Sequence, residues 1–153
     1  MKSPPKYAKD WVEGDTFAYL IKFKNGEKNY TIYFQDAASS PPAGLFNNVE
    51  NTPIDLAILC VGGFSEAENY PEYILEALKP KKIILGHWED FMASQFSTLD
   101  GINDSRKLTS SAVEEFIKRV DNYNEKNGTH IEYIVPMLWK NYNFKLNDNS
   151  KSQ

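Results

Sequence analysis

Two short apolar runs separated by a helical pattern constrain this chain more than any other feature. Residues 56–61 read Leu-Ala-Ile-Leu-Cys-Val, unbroken by a polar residue, and residues 83–85 read Ile-Ile-Leu. Continuous apolar runs of this length suit strands covered on both faces. Gly62-Gly63 ends the first run. Pro71 then opens a helical pattern reaching about Lys79, with Tyr70, Tyr73, Ile74, Ala77 and Leu78 on one side. Lys79-Pro80 stops it before the second run. Strand, glycine turn, helix, short link and strand make a βαβ unit, whose crossover is right-handed by rule.

The flanking segments extend this sheet. Phe17, Tyr19, Ile21 and Phe23 alternate as a half-buried strand does. Asn25-Gly26 follows, a strong hairpin signal because both residues tolerate positive φ. Residues 29–35 form the return strand, which runs into Asp36. Residues 37–51 read as loop. A short helix over 89–95, an irregular stretch over 99–108 and a strand over 131–135 complete the order. Ser111-x-x-Glu114 is a capping-box signature. It precedes a helix with Val113, Phe116, Ile117, Val120 and Tyr123 on one face, ending near Asn127-Gly128. Residues 1–10 are expected to be a connector, 11–146 the domain and 147–153 a frayed tail.

Composition removes several function classes. The chain has 153 residues, is 41% apolar and 14% aromatic, and so can bury a core. Its net charge is −4, without the basic stripe a nucleic-acid partner requires. No apolar run approaches the roughly 20 residues that span a bilayer. No signal-peptide pattern follows Met1; the compartment stays open, with cytoplasmic only as the default. Cys60 is the single cysteine; it excludes an internal disulfide framework and reads as a small core residue.

The chemistry-bearing residues gather just past strand ends, where loops carry function. Asp36 follows one strand; Gly86-His87 follows another. Carboxylate and neutral imidazole are both zinc ligands, but a catalytic zinc takes three from the protein. Read alone, Asp36 also fits a turn residue and His87 a hydrogen-bonded histidine. Glu89 and Asp90 fit either capping or orientation of His87. His130 reads as an exposed loop residue. Gly62-Gly63 lacks the dinucleotide fingerprint, leaving a nucleotide binder as the weakest reading. No nucleophile elbow surrounds Ser39-Ser40.

Taken together, the hairpin, the Tyr33-Phe34-Gln35-Asp36-Ala37-Ala38-Ser39-Ser40 strand end, the 55–63 block and the run from Leu78 to Trp88 resemble the C-terminal half of a metallo-β-lactamase-fold hydrolase. The resemblance covers roughly residues 11 to 136. It implies an α/β fold: half of an αββα sandwich, a mixed sheet of about five strands with helices on one face. It implies Asp36 and His87 as metal ligands, zinc as the cofactor, and Asp55, Glu89 and Asp90 as candidates for supporting the ligands. The family's H-x-H-x-D-H motif is absent from these residues, as is the further histidine before the late aspartate. With two ligands, zinc binding is expected to be weak or absent in this chain alone. Half a sandwich also leaves an apolar sheet face exposed. The expected partner is a complementary N-terminal fragment or a second copy of the chain. The rival expectation is a non-catalytic, self-associating module derived from the same fold.

Overall fold

The computed structural model describes residues 17–45, 52–88, 110–136 and 140–145, with the side chains of 110 and 111 excepted. Its centre is a five-stranded sheet in the order β1-β2-β3-β4-β5. β1 (Ala18–Asn25) and β2 (Lys28–Gln35) form an antiparallel hairpin. β3 (Leu56–Cys60), β4 (Lys82–Gly86) and β5 (Glu132–Ile134) follow in parallel with β2. Helix α1 (Glu72–Leu78) connects β3 to β4, and α2 (Ser110–Asn127) precedes β5. The chain is therefore α/β with a mixed sheet.

Strand alternation sorts the side chains into two unlike faces. Tyr33, Ala57 and Ile83 are in register on one face, and Leu59 and Leu85 continue it. These residues share a core with Ile74, Leu75 and Leu78 of α1 and Val113, Phe116, Val120 and Tyr123 of α2. Both helices thus cover the same face. Phe64, from a 3-10 turn over Phe64–Glu66, meets Phe116 edge-on at 5.3 Å. Arg119 binds Glu72 through two 2.6 Å bonds, and the Tyr123 hydroxyl donates to Glu76 at 3.0 Å.

The opposite face carries an apolar row across all five strands: Tyr19, Phe34, Ile58, Ile84 and Ile134. Ile21, Ile32 and Leu56 form the next row. The apolar side of β1 lies here, with Phe17 60%, Tyr19 51%, Ile21 42% and Phe23 52% exposed. Side chains in β1 alternate, but its apolar side is the exposed one; Ala18 and Leu20 face the core.

Local corrections are small. Asn25 pairs with Lys28, so the hairpin turn is Gly26-Glu27, with Gly26 at φ 61°. Pro71 caps α1 rather than opening its first turn, and Lys79 takes the left-handed closing position. Helix α2 already includes Ser110, one residue before the expected cap. The expected elements at 89–95 and 99–108, the connector and the tail lie outside the described residues.

Candidate functional site

Three chain segments meet at the C-terminal ends of β2, β3 and β4. The register pairs Gln35 with Leu59 and Cys60 with Gly86, so the three strands end together. A cavity of about 410 Å³ opens there, lined by Asp36, Ser39, Ser40, Cys60, Glu66 and His87 among others. Asp36 and His87 therefore share one rim, although 51 positions separate them in the chain (87 − 36). Both are exposed. Cys60 has the same strand parity as Ile58, which joins this rim to the sheet face opposite the helices.

The loop bearing Asp36 is pinned from below. The Tyr33 hydroxyl lies 2.9 Å from both the Gln35 side-chain oxygen and the Gly44 carbonyl. A Cβ at Gly44 would meet that hydroxyl at 2.5 Å, so only glycine lets the loop come this close. The Tyr73 hydroxyl sits 2.9 Å from the Ser39 carbonyl and 2.6 Å from that of Ala43. Ser40 Oγ accepts the Glu68 N–H at 2.9 Å. Ser39 and Ser40 thus line the rim while bonding to the loop and its neighbours.

His87 is held differently. The Gly86 carbonyl accepts the Val61 N–H at 2.9 Å, tying the end of β4 to that of β3. The backbone of His87 is left-handed, at φ 47°, an uncommon conformation for a residue with a side chain. Trp88 then returns to the core at 2% exposure and anchors the reversal. The His87 ring lies over Gly62, where a Cβ would come within 3.1 Å of Nδ1. Cys60 Sγ is 3.6 Å from the same nitrogen and donates to the Gly62 carbonyl at 3.4 Å. Burial pushes the Cys60 thiol pKa up, opposed by backbone hydrogen bonds at Ala38 and Gly62 and assisted by the Asp36 charge.

The remaining sequence candidates separate. Asp55 lies at the opposite end of β3, about 16 Å along the strand from Cys60 at the usual rise per residue. Its carboxylate accepts the Thr31 N–H at 2.8 Å and the Lys81 ammonium at 2.6 Å. That geometry ties the start of β3 to its neighbours and takes Asp55 out of reach of the rim. Glu89 and Asp90 lie outside the described residues. His130 is exposed beyond α2, as expected. Gly62-Gly63 leads into the short 3-10 turn, and α1 begins only at Glu72. The glycine pair opens no α-helix, so the α-helix N-terminus that a dinucleotide site uses does not stand at this turn.

Cys60, Glu66, Ser39 and Ser40 are rim side chains that the sequence reading did not assign to the site. For Cys60 the available signal was its place beside Gly62-Gly63, the same kind of strand end that flagged His87. Glu66 carries no comparable signal.

Carboxylate oxygen and imidazole nitrogen suit zinc in kind. Among the described residues, no group of three or more His, Cys, Asp or Glu could hold a metal ion. The donors among the described residues fit part of a zinc site and are too few for a whole one. No helix among the described residues is long and apolar enough to cross a membrane. Comparison with protein-family models, curated proteins and solved structures returns no match for this chain.

Proposed function

We propose that this chain is the C-terminal half of a metallo-β-lactamase-fold hydrolase, supplying Asp36 and His87 to a metal site completed by a second half. The observation carrying this reading is the shared rim of Asp36 and His87, continuous through Cys60 with an apolar sheet face. A second half packed on that face would bury the Tyr19–Ile134 row and bring its own ligands beside the cavity. That half would carry the H-x-H-x-D-H ligands. Zinc held there would lower the pKa of water and polarise an ester, phosphodiester or amide. This chain's own part is to hold one carboxylate and one imidazole on fixed loops, so that little ordering remains when the halves meet. Alone, it hydrolyses nothing efficiently.

The test is complementation. Mixed with an N-terminal half bearing H-x-H-x-D-H, the chain should acquire zinc-dependent esterase or phosphodiesterase activity. His87→Ala and Asp36→Ala should abolish it. Activity indifferent to His87→Ala would refute the assignment.

The exposed aromatic stripe of β1 also supports a second reading, a self-associating module without chemistry. It differs in outcome: a stable homo-oligomer that takes up no zinc and gains no activity on complementation.

A further inference from the structure

We infer that the sheet edge opposite the rim binds a phosphate-class oxyanion between Lys22, Lys24 and Lys81. A cavity of about 300 Å³ opens there, lined by these lysines with Asn29, Thr31 and Asp55 among others. The register of β1 with β2 builds one wall. Leu20 pairs with Tyr33 at the core; the next pairs on the same face are Lys22 with Thr31 and Lys24 with Asn29. The face thus turns from apolar to polar within one strand period. Lys22 and Lys24 leave β1 two residues apart, about 7 Å at the usual rise, so their flexible stems reach a common point. Both are exposed, and among the described residues no carboxylate pairs with either.

Lys81 comes from the other wall and is held in place. Its N–H donates to the Ile54 carbonyl at 3.1 Å, and its ammonium donates to Asp55 at 2.6 Å. Asp55, only 6% exposed, also accepts the Thr31 N–H at 2.8 Å. A buried carboxylate therefore fixes one cation at the cavity before any ligand arrives. Three ammonium groups face one carboxylate in a chain whose net charge is −4. The excess of two positive charges suits a phosphoryl group, which carries about −1.5 to −2 near pH 7. A carboxylate or chloride matches it less well. Lysines on an edge strand such as β1 also discourage strand pairing. That role needs neither a cavity nor a third ammonium held by a buried carboxylate. The site uses neither Asp36 nor His87 and does not rest on the proposed function.

The test is an amide NMR titration of the whole, chelator-treated chain with inorganic phosphate, beside chloride and acetate at equal ionic strength. Phosphate should give saturable shifts at Lys22, Lys24, Thr31 and Lys81 that the other two anions do not. Affinity should fall as sodium chloride is added, because the ammonium groups are exposed. Lys22→Gln with Lys24→Gln should weaken binding about tenfold or more. Lys118→Gln, an exposed lysine on α2, should leave it unchanged. Glycerol phosphate separates the sources: equal or tighter binding supports a phosphoryl group on a larger molecule, and exclusion supports the free ion. Phosphate shifts that stay linear and match those of chloride would overturn the inference, and need no variant to fold. So would saturable shifts that survive in the double variant.

Discussion

The two faces of one sheet differ most at β1 in this chain. On one, Tyr33, Ala57, Leu59, Ile83 and Leu85 lie under two helices and are essentially inaccessible. On the other, Tyr19 and its neighbours on β1 are about half exposed. Apolar side chains supply both faces, so residue type alone does not decide which is covered. The helices decide it. Helix α1 brings Ile74, Leu75 and Leu78, and α2 brings Val113, Phe116, Val120 and Tyr123, to the same side. The helix-covered face stabilises this domain; the exposed side of β1 is apolar area whose burial would stabilise an assembly.

The comparison is sharpened first at its most buried point. Phe116 is 0% exposed and packs on Phe64 and Tyr70. Phe116→Ala should cost about 3–5 kcal/mol by denaturant unfolding, the usual loss for a large core aromatic. Asp55→Ala should come next, at about 1–3 kcal/mol, because it strands the buried Thr31 N–H. Tyr123→Phe should cost about 1 kcal/mol near neutral pH through its lost hydrogen bond to Glu76.

Tyr123 also sets an alkaline limit. Burial, then the Glu76 carboxylate it bonds to, raises its pKa from 10.0 to about 12. A raised pKa means the fold prefers the neutral phenol. That stabilisation is full below pH 10.0 and disappears as pH climbs through about 12. Buried Tyr33 and Tyr70 shift in the same direction. Stability measured against pH should fall across this window, and less steeply in Tyr123→Phe. The smallest stability effect belongs to the exposed side of β1. Tyr19→Ser with Ile21→Ser should change unfolding free energy by only about 0.5 kcal/mol per site. The same pair should abolish assembly with the proposed complementary half in light scattering. A core-sized loss of stability there would dissolve the distinction between the faces.

Much of this fold is legible in the sequence, for physical reasons. The unbroken run before Gly62-Gly63 is a strand between two others, and the 3.6-residue spacing of Val113, Phe116, Val120 and Tyr123 is the buried face of α2. The direction faced by β1 is not legible, because alternation says that one side is apolar and not which side meets a helix. The site is legible in half. Strand ends flagged Asp36 and His87, and both reach one cavity. Asp55 also flanks a strand, but at its start, and parallel strands send starts and ends to opposite edges of the sheet. The contact of Cys60 with His87 spans 27 residues and depends on the register of β3 with β4, which no local pattern encodes.

Zinc content measured against molar mass across a single chromatogram tests the central claim most directly. The chain should be run alone and with an H-x-H-x-D-H half, each as wild type and as His87→Ala. The proposed half-site requires zinc to co-elute only with the wild-type complex. A monomer carrying one zinc per chain, unaffected by His87→Ala, would contradict it.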